Sequence, residues 1–286
     1  MSIHIGAGPI GWYDDDFTPF SNDIAREAHL IALARAGFEG LELGPHSRRD
    51  VTCAHAALVR HGLTFLPHTH AIKLLGSSVQ AVYAGLSEHI AAAKALGAGV
   101  VSVAETTGAI HANRAMPLTK RPKIDVRQWI GFGAKLSALA GLVKSAGLRL
   151  AYRPHMGTIV ESGNDVERLI AATTADVGVL LDTGHLAWGG AKPKAVAKAH
   201  ADRIVMIHLT DIDGERASAA IARRQSYLEA VDDGVFVAPG TGSAEIGEVL
   251  AALPDFDGWI VIDAARGDLP AEVARLCDRA TVKQAA

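Results

Sequence analysis

Eight times along the chain a short apolar run gives way to a longer stretch with helical spacing. The runs that read as strands are Ile3–Ala7, Gly40–Leu43, Leu63–Pro67, Val100–Ala104, Arg149–Tyr152, Gly178–Leu181, Ile204–Leu209 and Trp259–Ile262. They are rich in Val, Ile and Leu and apolar on successive positions, the pattern of parallel strands buried on both faces. Between them lie amphipathic segments at Asp23–Ala36, Val79–Leu96, Val126–Ala146, Asp165–Thr173 and Ser243–Leu253. Several finish on glycine, as in Ala36-Gly37, Leu96-Gly97 and Ala146-Gly147, the expected end of a helix. Eight strand–helix units with no long linker predict an α/β protein, a single (β/α)8 TIM barrel spanning residues 1–286. An open doubly wound sheet has the same periodicity and is the competing arrangement.

Composition narrows the function. The 28 Lys and Arg residues against 31 Asp and Glu leave a net charge of −3, which offers no basic field to nucleic acid or to an acidic membrane surface. The 49 % hydrophobic content is ample for a core. Two cysteines, Cys53 and Cys277, argue against a disulfide scaffold and fit a reducing compartment. The N-terminus lacks a basic start and an apolar run, and no apolar run is long enough to span a bilayer, so a cytoplasmic protein is expected. Homo-oligomers are compatible with the Ala- and Leu-rich outer helices, which could equally press on the strands.

Gly6-Ala7-Gly8-Pro9-Ile10-Gly11 matches GxGxxG, but Trp12-Tyr13-Asp14-Asp15-Asp16 follows it where a nucleotide fold opens a helix for the pyrophosphate. Three carboxylates would repel that group, so the segment reads as a loop at the barrel mouth.

Polar residues collect at the C-terminal ends of the strands, where barrels place their chemistry. These ends read Glu42; His68 and His70; Glu105; Arg153 and His155; Asp182 and His185; His208 and Asp211; Asp263. Asp182, His208 and Asp263 come from three successive strands and combine two anionic oxygens with an imidazole. That set suits Mn2+, Co2+ or Mg2+, or else an Asp–His hydrogen-bond network without metal. His29, His55, His61, His89 and His200 fall in helical stretches and are expected in solvent. Asp182-Thr183-Gly184-His185 reads as a functional turn or a simple one. Pro239-Gly240-Thr241-Gly242-Ser243 reads as substrate contact or as a glycine turn with Ser243 capping the next helix.

With these residues identified, the chain resembles the xylose-isomerase-like TIM-barrel superfamily and, within it, the inosose dehydratases. The resemblance is carried by Gly8-Pro9-Ile10-Gly11-Trp12, Gly37-Phe38-Glu39-Gly40-Leu41-Glu42-Leu43-Gly44 and Ala104-Glu105-Thr106-Thr107-Gly108. Pro117-Leu118-Thr119-Lys120-Arg121-Pro122, His155-Met156-Gly157-Thr158, Leu181-Asp182-Thr183-Gly184-His185, His208-Leu209-Thr210-Asp211 and Gly258-Trp259-Ile260-Val261-Ile262-Asp263 extend it. It implies a metal-dependent hydro-lyase acting on a carbohydrate-like cyclic polyhydroxy ketone, with Asp182, His208 and Asp263 on the metal. His155 and Glu105 become candidates for proton transfer, and His185 for positioning hydroxyls or for supporting the metal ligands from behind. Glu42, Arg153, His68 and His70 are candidates for substrate binding. Three residues depart from the family pattern: Arg153 stands where His is usual, Asp263 where Glu is usual, and Thr210 where Lys follows the His-Leu pair. A guanidinium cannot ligate a cation. Arg153 therefore opens three outcomes: a metal site rearranged around His155, an anionic substrate group bound by Arg153, or loss of the metal. A ketose or sugar-acid isomerase or epimerase, and a non-catalytic carbohydrate-binding protein, are the alternative functions.

Overall fold

The computed structural model describes residues 3–8, 30–43 and 58–262. The Gly8-Pro9 segment beyond Gly8, the Asp14–Asp16 cluster, both cysteines and Asp263 lie outside these residues. Ordered by chain, the strands are β1 (Ile3–Ala7), β2 (Gly40–Leu43), β3 (Thr64–Pro67), β4 (His70–Ile72), β5 (Val100–Glu105), β6 (Arg149–Tyr152), β7 (Val177–Asp182), β8 (Ile204–Leu209), β9 (Asp211–Ile212), β10 (Phe236–Val237) and β11 (Gly258–Ile262).

Nine of them form one parallel sheet in the order β3-β2-β1-β11-β8-β7-β6-β5-β4. Its two edge strands, β3 and β4, are consecutive in the chain and separated only by His68 and Thr69. The third barrel strand is thus broken in two, its first half pairing with β2 and its second with β5. This closes the sheet into a TIM barrel, and the open-sheet alternative falls. The expected strands sit at the expected places with ends shifted by at most a residue, whereas β4 and the antiparallel β9–β10 pair were not anticipated.

Helices wrap the outside. The expected helix over Val79–Leu96 is two, Val79–Gly85 and Ser87–Ala95, broken at the fully buried Leu86 beside the weak helix former Gly85. Val126–Ser145 starts at an Asp125–Gln128 capping box, and Gly163–Ala172 at a Ser162–Asp165 box. The last expected helix shrinks to Ile246–Ala251, with Glu245 rather than Ser243 at its N-cap position. No helix among the described residues is long and apolar enough to cross a membrane.

The barrel's lower interior is plugged by Trp259. A Cβ on Gly40 would come within 2.8 Å of its ring, and one on Gly6 within 2.7 Å of Leu66, so small residues on β1 and β2 admit the large ones. With that end filled, polar side chains are left to the other end, the one formed by the strand C-termini. Above it a second, smaller core gathers Leu118, Met156, Trp188, Ile212, Ala217, Ala220, Ala230 and Val235 from the loops and short helices that follow β5 to β9. Leu118 N–H donates to Gln225 O, and Pro117 bridges to Ser226, which joins two of these segments.

Candidate active site

Asp182, at the end of β7, is fully buried, and both of its oxygens are engaged. Arg153, one residue past β6, puts Nη2 at 2.6 Å and Nε at 3.0 Å from Oδ2. Thr210 Oγ1 donates to Oδ1 at 2.6 Å, and the His185 backbone N–H donates to the same atom at 3.0 Å, so Asp182 also caps the helix Thr183–Trp188. Burial works to raise the Asp182 pKa. The His185, Arg153 and His208 charges and the Thr210 hydrogen bond overcome it and hold the carboxylate well below its ordinary value.

Thr210 fits into the turn that follows Asp182. Its Oγ1 accepts from Gly184 N–H at 2.7 Å, while Thr183 Oγ1 donates to Thr210 O and accepts from Thr210 N–H. A Cβ on Gly184 would stand 2.5 Å from Thr210 Oγ1, so the Asp-Thr-Gly-His turn admits only glycine there. Asp182 and His208 are register partners on β7 and β8. Across the barrel, Glu42 Oε2 lies 3.3 Å from His208 Nε2, with both residues buried. Glu42, Arg153, Asp182 and His208 therefore meet in one interior cluster.

His155 and His185 stand beside it. Their ring centroids are 3.9 Å apart, with His111 and Tyr227 at 5.0 and 5.4 Å from His155 and Phe236 at 5.3 Å from His185. Removal from water, then the charges of His185, His111 and Arg153, push the His155 pKa well below its usual 6.5. His111 and Tyr227 come from segments with no apolar strand to mark them, and the sequence singled out neither; Phe236 lies on the two-residue β10, in a Gly-Val-Phe motif shared with the inosose dehydratases.

Other candidates lie elsewhere. His68 and His70 pack on His89 of the outer helix Ser87–Ala95, at ring distances of 4.9 and 4.5 Å. Thr69, between them, is the residue that reaches Ser102 Oγ and, at 3.5 Å, Arg153 Nη1. His89, expected in solvent, is half-buried under the pair. Glu105 accepts from Leu74 and Leu75 N–H on one oxygen and from Thr107 N–H on the other, which anchors loops. Asp211 accepts from the backbone N–H groups of Gly240, Gly242 and Ala244. The Pro-Gly-Thr-Gly segment is thus tied to Asp211 through its backbone, and Ser243 caps no helix. Arg121, in the Pro-Leu-Thr-Lys-Arg-Pro segment, binds Asp165 at 2.7 Å and Glu161 at 3.4 Å and joins the loops after β5 and β6.

Asp263, the third expected ligand, lies outside the described residues, and the described part of the site is poorly arranged for a divalent ion. Arg153 already fills the coordination place of Asp182 Oδ2, and Oδ1 carries two donors. Among the described residues no three His, Cys, Asp or Glu side chains gather to hold an ion. A guanidinium and a dication are competitors for this carboxylate.

Together these features define an enzyme built on a closed (β/α)8 barrel, with a charged cluster at the strand ends and a histidine pair beside it. A family model described as xylose isomerase-like TIM barrel matches residues 30–279, and the chain belongs to that family as an inosose dehydratase-like member. It is 34 % identical to a rhizopine catabolism protein, MocC, of Rhizobium meliloti over 92 % of this chain and 82 % of that one. It is 30 % identical to an inosose dehydratase of Geobacillus thermodenitrificans over 92 % and 89 %. Among solved structures it resembles a probable 3-DHS dehydratase, AsbF, of Bacillus anthracis, with TM-score 0.71, 13 % identity and coverage of 96 % and 98 %. It also resembles the IOLI protein with a bound zinc atom, with TM-score 0.65, 14 % identity and coverage of 98 % and 97 %. At such identities these structures bear on the fold alone.

Proposed function

We propose that this enzyme removes water from a cyclic polyhydroxy ketone of the inosose type, with Arg153 supplying the positive charge at the ketone oxygen. The observation that carries the reading is the Arg153–Asp182 pair at the strand ends beside His155, which is held neutral. The kinship with proteins named inosose dehydratase supports the substrate class.

The chemistry asks for two things. A proton must leave the carbon next to the ketone, and the electron pair it leaves must be stabilised as an enolate. Arg153 is a permanent cation, and Asp182 and Thr69 fix its orientation. The enolate then expels the β-hydroxyl with a proton as water, leaving an α-hydroxy enone. Glu42 and His208, buried and 3.3 Å apart, would bind ring hydroxyls. Mn2+, Co2+ or Mg2+ at Asp182, His208 and Asp263 is the competing source of positive charge and requires Arg153 to release Asp182.

Incubation with an inosose in D2O tests the reaction class. Growth of near-ultraviolet enone absorbance is the expected result. Deuterium exchange without loss of water would instead assign an isomerase or epimerase, and no change in the ketone would refute the reading.

A further inference from the structure

We infer that the backbone of Met156, through its N–H and its C=O, assigns opposite tautomers to the paired histidines, making His155 Nε2 the base and His185 Nε2–H a fixed hydrogen-bond donor. The chemical roles rest on the dehydratase reading; the tautomers rest on geometry alone.

The Nδ1 atom of His155 lies 2.8 Å from Met156 O. A carbonyl oxygen only accepts, so that nitrogen carries the proton, and in a neutral ring the lone pair is left on Nε2. On the other side of the same residue, Met156 N–H donates to His185 Nδ1 at 3.3 Å. A backbone N–H only donates, so that nitrogen holds a lone pair and the proton of His185 sits on Nε2. Two imidazoles 3.9 Å apart are thereby given opposite outer atoms, one accepting and one donating. Because a single residue's backbone sets both, neither ring exchanges roles without breaking a backbone hydrogen bond.

Applied to the dehydration, His155 Nε2 takes the proton from the carbon beside the ketone as that C–H bond breaks. The resulting imidazolium returns the proton to the departing β-hydroxyl as the C–O bond breaks, so water leaves and the ring ends as it began. His185 keeps its proton throughout and holds a substrate oxygen through Nε2–H, in the way a neutral imidazole serves as an electrophile. His155 is thus the catalytic residue of the pair and His185 a substrate-positioning one.

Nitrogen-15 NMR of the histidine rings of the full chain at neutral pH reads the tautomers directly, with His155→Gln and His185→Gln spectra assigning the signals. The expected result is Nδ1–H on His155 and Nε2–H on His185; the same tautomer on both, or Nε2–H on His155, overturns the inference. In kinetics, His155→Gln is expected to lose both deuterium exchange into the ketone and water loss. His185→Gln retains exchange with turnover lowered about a hundredfold. Exchange that survives in His155→Gln also overturns it. Wrong tautomers in an active wild type sink this inference alone. Correct tautomers in a wild type that leaves every inosose unchanged sink the dehydratase reading, and the role of the base with it.

Discussion

Replacing Arg153 with Met keeps the apolar stem and removes the charge that faces Asp182. Asp182 is then a fully buried carboxylate with Thr210 Oγ1 and the His185 N–H on Oδ1 and nothing on Oδ2 from Arg153. Breaking one side of a buried ion pair costs about 3–5 kcal/mol, most of it the desolvation of the partner left behind. Two retained hydrogen bonds place this case at the lower end, about 3 kcal/mol. For a barrel of this size that corresponds to a fall in Tm of roughly 6–12 °C. Asp182→Asn removes the stranded charge, so Arg153→Met should cost far less in a chain that already carries Asp182→Asn. The double-mutant cycle, read by thermal unfolding, should return a coupling of at least about 1 kcal/mol. Equal cost of Arg153→Met in both backgrounds would refute the claim that Arg153 neutralises Asp182.

Thr210→Val keeps the shape but removes the donor to Asp182 and the acceptor of Gly184 N–H, with an expected loss of about 3 kcal/mol in urea unfolding. Arg121→Met should cost about 3 kcal/mol by stranding Asp165, and it should raise the Glu161 pKa further, since burial already raises it and Arg121 opposes that rise. The pH dependence of stability follows from His155. Its folded pKa lies below 6.5, so the unfolded chain binds the proton first on acidification. The stability it contributes is present above pH 6.5 and is lost below, by at most about 1.4 kcal/mol per pH unit. Urea titrations at several pH values should show this slope in the wild type and its absence in His155→Gln.

Much of the barrel was legible because its strands are apolar on both faces and end abruptly in polar residues. The break in the third strand was not, since three residues from His70 to Ile72 are too few to show a period. The two-residue strands β9 and β10 escaped for the same reason. The split at Leu86 was hidden because the apolar spacing runs straight through it. Strand ends locate polar residues along the barrel but not the face they point to. His68 and His70 therefore looked like substrate contacts, while Thr69 between them is the residue that reaches Arg153. Glu105 and Asp211 carry the same signature as Asp182, and only the backbone N–H groups around them reveal anchors for loops. Arg153 was visible as an anomaly, and the structure shows its partner: two of its nitrogens donate to Asp182 Oδ2.

The source of positive charge at the strand ends is tested by measuring turnover of an inosose, together with metal content, for protein stripped by chelation and then supplied with excess Mn2+, Co2+ or Mg2+. Retained activity after stripping, with no stoichiometric ion taken up and activity abolished by Arg153→Met, is the predicted result. One ion per chain, with activity that vanishes on stripping and returns with the ion, would contradict it.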